Sequence, residues 1–326
     1  MKKMLLLLIA VLAFQGQALA SHITAIFVGG TPPTNSTGSG NFTACMDAEC
    51  RKMEMRVKDP DYSVTIYYGW GSDGTEETLL TQGGTPSRTR SAQIWFNNDN
   101  NPLHHQYYLP ADPYRCLEAT NWYETSADLG GGQVNVSRTY TYPCLAGDQH
   151  INILGPMDHE IGHVLGLNDD NDSFGSMALP GYITVAAPLP YAGTVIQFQR
   201  DTNNTVVPHI VNLSPGGTPM RTTMNGSFAA GELRDMSVVD MLLIQKVNGF
   251  TNVDLGLTPP TLKLTRATSC QTTLTWVSGA WLWRLQQTCD FKSWAYVTNA
   301  VAITNGAYTV TVQCTNACCH YRLARM

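Results

Sequence analysis

The chain has 326 residues, 14% of them charged, with 20 Lys and Arg against 25 Asp and Glu for a net charge of −5. So weak and slightly acidic a balance excludes a nucleic-acid ligand or an anionic membrane surface held by charge. After a short leader the length suffices for two domains.

Residues 1–20 read as a bacterial Sec-type signal peptide. Lys2 and Lys3 are its positive start, Met4 to Phe14 its apolar run, and Ala18-Leu19-Ala20 its cleavage site. That run is too short to span a bilayer, and no later segment is apolar for long enough. The mature chain is expected to start at Ser21 and to be secreted. All nine Cys lie beyond the leader, and export makes disulfides the expectation. Cys45/Cys50, Cys116/Cys144 and Cys270/Cys289 are the plausible local pairs, and the odd count leaves one thiol over. Cys45-x4-Cys50 and Cys314-x3-Cys318 lack the second close pair that a Cys-zinc site needs.

Ile23 to Val28 is an alternating apolar run, followed by turn-rich sequence over 29–40. Residues 45–57 have helical or irregular character. Ser63 to Trp70 alternates as a strand, Glu76 to Leu80 is short helix or strand, and Ala92 to Phe96 is another strand. Residues 110–128 are irregular and aromatic. Gly130 to Gly132 make a turn, and Gln133 to Tyr142 alternates as a strand. A helix is predicted over 155–165, with Pro156 in its first turn.

That helix carries His159-Glu160-Ile161-Gly162-His163-Val164-Leu165-Gly166-Leu167-Asn168-Asp169. His159 and His163 lie one turn apart on one face, where two nitrogens reach one metal ion. Glu160, next to the first, can meet a water on that metal and act as general base. With eight His and eight Glu in the chain, H-E-x-x-H arises by chance in roughly one such chain in two hundred. An amphipathic helix with two satisfied histidines is therefore the weaker reading. Gly166 can take positive φ and reverse the chain, returning Asp169 toward the histidines as a third ligand. Asp170 is its main rival and Asp172 a weaker one. His209, flanked by Pro208 and Ile210, reads as structural and stands next should Asp169 fail. His104, His105 and His150 read as solvated or hydrogen-bonding side chains.

Residues 170–230 have little periodicity beyond a strand at 194–199. A second helix is marked over 236–248, capped by Ser237 and ended by Gly249. Thr251 to Pro260 reads as a linker. Beyond it, short alternating runs at 261–265, 272–276, 281–286, 294–297 and 307–313 predict a small all-β sandwich.

The eleven-residue stretch resembles the metzincin zinc-protease signature, in the secreted bacterial branch that has Asp as third ligand. The resemblance is firm over 155–170 and looser over 130–250. It implies an α+β catalytic domain over 21–255, followed by an accessory sandwich over 256–326. It implies one catalytic Zn2+ on His159, His163 and Asp169, with Glu160 activating a water against a peptide bond of a protein or peptide substrate. It also implies a Met-containing turn beneath the metal. Met224, twelve residues before Met236, has the family's order of turn and following helix; Met177 and Met220 are the other candidates. Gln133 to Tyr142 would be the substrate-binding edge strand. A structural Ca2+ is undetermined, and a monomer is expected. The competing class is a non-catalytic adhesive protein on a protease-like scaffold, for which retention of Glu160 would have no purpose.

Overall fold

The computed structural model describes residues 21–72, 75–99, 106–113, 122–141, 150–186, 191–211, 221–226, 228, 231–255, 261–267, 271–277, 283–299, 301–304, 307–313 and 320–325. The fold is mixed α+β, with strands outweighing helices. Among the described residues no helix is long and apolar enough to cross a membrane. Residues 1–20, expected to be a leader, and Met220, His104, His105, Cys116, Cys144 and Cys270 lie outside them.

The first sheet has the order β1 (His22–Gly29), β2 (Ser63–Gly71), β4 (Arg88–Asn97), β3 (Glu76–Gly83). β1, β2 and β4 run parallel and β3 returns antiparallel at the edge. Helix α1 (Phe42–Arg56) makes the crossover that a parallel β1–β2 pair requires. It starts where the Asn41 side chain accepts from the backbone N–H of Thr43 at 2.8 Å and of Ala44 at 3.2 Å. Alternation puts Val64, Ile66, Tyr68 and Trp70 of β2, with Ala92, Ile94 and Phe96 of β4, into one buried layer. The sequence leaves 45–57 ambiguous because the helix buries polar residues, Glu49 and Lys52 among them, with its apolar ones.

Helix α2 (Leu154–Val164) packs on the same sheet beside α1 and against β3 and β4, and every one of its residues is buried. It follows β8 (His150–Asn152), which pairs with β5 (Gln106–Tyr108). Helix α3 (Asp172–Ala178) and the sheet β11 (Val206–Ile210), β10 (Val195–Arg200), β9 (Tyr182–Thr184) fill the region of weak periodicity. Helix α4 (Val238–Asn248) is buried nearly all round and is capped by Ser237, as the sequence predicts.

Two expectations are corrected. The strand at 133–142 is β7 (Gln133–Thr141), which lies between β12 (Glu232–Arg234) and β6 (Trp122–Asp128). β12 pairs with its last three residues, Thr139–Thr141, and no residue of β7 lines the cleft described below, whereas the edge strands β3 and β11 both do. Cys45 and Cys50 form no disulfide. Both sit in α1, where five residues correspond to about 7.5 Å of rise and to faces well apart, beyond what a bridge spans.

Beyond residue 260 lie two sheets: one of order β13 (Lys263–Ala267), β14 (Gln271–Val277), β18 (Ala307–Gln313), β17 (Ala302–Thr304), the other of order β16 (Ala295–Tyr296), β15 (Trp283–Thr288), β19 (His320–Arg325). Leu274, Trp276, Leu285, Tyr308, Val310 and Val312 form their own core, separate from the main one.

Candidate metal centre

The site is built on α2 and the turn after it. Leu165 caps the helix and Gly166 follows at φ +95°. Gly166 N–H donates to His163 O at 2.9 Å and Leu167 N–H to Gly162 O at 3.2 Å, the paired bonds of a Schellman ending. The reversal returns the Leu167 carbonyl to the helix, where it lies 2.5 Å from His163 Nδ1. On the other histidine, Nδ1 lies 2.8 Å from Thr223 O. A carbonyl only accepts, so both Nδ1 atoms carry the proton and donate. The Nε2 atoms then face each other, 3.0 Å apart.

Thr223 belongs to a single 3-10 turn, Thr223–Asn225, closed by Gly226 in left-handed conformation. Asp240, in the first turn of α4, anchors it: Thr223 N–H and Met224 N–H each donate to its carboxylate at 3.3 Å. The same carboxylate accepts from Ser237 N–H and Oγ at 2.8 Å each. Burial pushes Asp240 up to about 6 against those bonds. The turn runs directly beneath the helix. A Cβ on Gly162 would lie 2.4 Å from Met224 Sδ and 2.6 Å from Met236 Cε. Met177 sits on α3, partly buried against the main core.

A cleft of about 340 Å³ opens above the histidines. Glu76 and Glu77 of β3, Tyr107, Glu160, Asp169, His209 and Phe228 line it. Glu160 is buried and its carboxyl is raised well above the usual range, by burial first and then by Glu77 and Glu76. Among the described residues its Oε2 has no hydrogen-bond partner. Glu77 accepts from Asn168 Nδ2 at 2.6 Å. His159 is held well below its ordinary value, by burial first and then by His163 and His209, against the Thr223 bond. Burial and His163 lower His209 to about 4, opposed by Asp169.

Two groups bring possible ligand atoms within 4.8 Å of one another: His159, His163 and His209, and Glu77, Glu160 and His163. Asp169 is in neither. It is exposed and lines the cleft, and Asp170 and Asp172 are exposed beside it. The turn at Gly166 does reverse the chain, but what it delivers to the helix is the Leu167 carbonyl. Local spacing could not reveal His209 or Glu77, because each arrives on a strand remote in sequence. Pro208 beside a histidine was the one local sign. Compared with protein-family models, curated proteins and solved structures, the chain finds no match in any of the three.

Proposed function

We propose that this chain is an exported zinc endopeptidase of metzincin type, its catalytic domain in residues 21–255 and its accessory sandwich in 256–326. The carrying observation is the pair of imidazoles whose Nε2 atoms stand 3.0 Å apart while both Nδ1 atoms are committed to carbonyls. Two bare lone pairs at that distance repel unless a cation lies between them. The alternative, an imidazolium sharing its proton, is opposed by the burial that holds His159 neutral. The donor set of neutral nitrogens with fixed back sides is the one that suits zinc.

Zinc bound there would supply a Lewis acid and a water acidified toward neutral pH. Glu160 takes the proton from the attacking water and delivers it to the leaving amine. Its buried Oε2, without a hydrogen-bond partner among the described residues, is free for that contact. Edge strand β3, with Glu76 and Glu77 on the cleft, offers backbone groups to an extended peptide. The leader over 1–20 supports export.

The test is Glu160→Gln in the mature chain, assayed on casein together with zinc content. Hydrolysis is expected to fall about 10²- to 10⁴-fold with zinc retained, and wild-type activity to vanish with a chelator. A variant as active as wild type, or a chelator-insensitive wild type, would overturn the reading.

A further inference from the structure

We propose that His209 is the third protein ligand of this metal centre and that Asp169 lies outside the coordination set; this rests on the metal reading above. Its ring nitrogens meet those of His159 and His163 within 4.8 Å. Its ring centroid stands 5.3 Å from that of His159 and 5.5 Å from that of His163. Three rings thus surround one point, at the floor of the cleft.

The position of His209 is built. It lies on β11, the edge of its sheet, where Pro208 removes no ladder bond. Gly226, at φ +77°, packs flat against the imidazole: a Cβ there would come within 3.0–3.2 Å of Cε1, Nε2 and Nδ1. Asn225 Nδ2 donates to Ile210 O at 2.8 Å. The turn that orients His159 through Thr223 O therefore also holds the strand that carries His209.

The chain after Gly166 is committed elsewhere. Leu167 O serves His163, and Asn168 binds Glu77, which leaves Asp169 exposed at the rim. β11 then delivers a ligand from far outside the α2 motif. Three neutral imidazoles leave the dication's charge uncompensated, whereas an aspartate would cancel half of it.

The experiment uses the mature chain stripped of metal and reloaded with Co2+ or Zn2+. His209→Cys loaded with Co2+ is expected to gain a thiolate-to-cobalt charge-transfer band absent from wild type, and Asp169→Cys to gain none. Zn2+ affinity is expected to fall more than about 100-fold in His209→Ala, beyond the loss of an outer partner, and to change little in Asp169→Asn. Circular dichroism checks that each variant folds. A charge-transfer band in Asp169→Cys and none in His209→Cys, or loss of Zn2+ in Asp169→Asn alone, overturns the inference and leaves the peptidase reading standing. A folded wild type that binds neither metal overturns both.

Discussion

Gly162 shows how closely the histidine-bearing helix α2 is fitted to its floor. At this position, just before His163, the helix has no side chain, and Met224 Sδ and Met236 Cε fill the space a methyl would need, at 2.4 and 2.6 Å from an added Cβ. Methionine bends to fill such gaps, but both side chains here are fully buried, so neither can yield without moving a neighbour. Gly162→Ala is expected to gain helix propensity and still lose stability, by about 1–3 kcal/mol, because overpacking exceeds the propensity gain. Denaturant unfolding measures it. A variant more stable than wild type would mean that the floor is soft, and that the 3-10 turn does not define where His159 sits.

At the scale of elements, the ends of α2 and α4 do most of the positioning. Gly166 takes φ +95°, and a Cβ there would meet Asn248 Nδ2 at 3.0 Å and Oδ1 at 3.3 Å. Asn248 in turn donates to Leu165 O at 2.6 Å, tying the last turn of α4 to the end of α2. Gly166→Ala is therefore expected to cost about 1–2 kcal/mol from the left-handed backbone alone. It should also weaken zinc binding roughly 10- to 100-fold, because Leu167 O would drift from His163 Nδ1. Zinc titration and thermal melts separate the two effects, and stability lost without any change in affinity would deny the carbonyl its orienting role. These ends were legible in the sequence: the i, i+4 histidines, Gly166, Ser237 and Gly249 are local devices that a few adjacent residues specify. His209 and Glu77 were not, because their place depends on how β11 and β3 fold over α2, and no local period records that. Asp169 shows the same limit, since it lines the cleft but belongs to neither group of converging ligand atoms. The motif predicted a reversal, and only packing decides which group the reversal returns.

At the scale of the molecule, α1, α2, β7 and the segment after β12 are joined by buried charge, and here sequence reading is weakest, since a lysine or glutamate in a helix ordinarily reads as solvated. Lys52 of α1 lies 3.0 Å from Asp158 of α2 and 2.9 Å from Asp235 after β12, and also contacts Glu49. Arg138 of β7 reaches Asp235 at 2.7 Å and Arg56 reaches it at 3.7 Å. Asp158 Oδ2 accepts from Met236 N–H at 2.9 Å, so the network touches the floor as well as the helix of the candidate metal centre. Burial would strip Lys52 of its proton, but Asp158, Asp235 and Glu49 together hold it charged. Burial also pushes Glu49 up to about 8, against Lys52 and with Asp158 and Asp235, from an ordinary 4.5. The folded state therefore binds this proton more tightly than the unfolded chain. That contribution to stability is complete below about 4.5 and is lost as pH rises through about 8. Asp235, lowered by Lys52, Arg138 and Arg56 against its burial, works in the opposite sense at acid pH. Asp240 and Glu160 are raised too, but neither is among the groups that act on Glu49. The difference between wild type and Glu49→Gln thus reports Glu49 together with its coupling to Asp158 and Asp235. Calorimetric Tm values from pH 4.5 to 8 should fall more steeply in wild type than in Glu49→Gln, the two curves separating toward alkaline pH. Parallel curves across that window would mean that Glu49 stays ionised beside Lys52, and that the network is a full set of charges in which no carboxyl is kept neutral by burial.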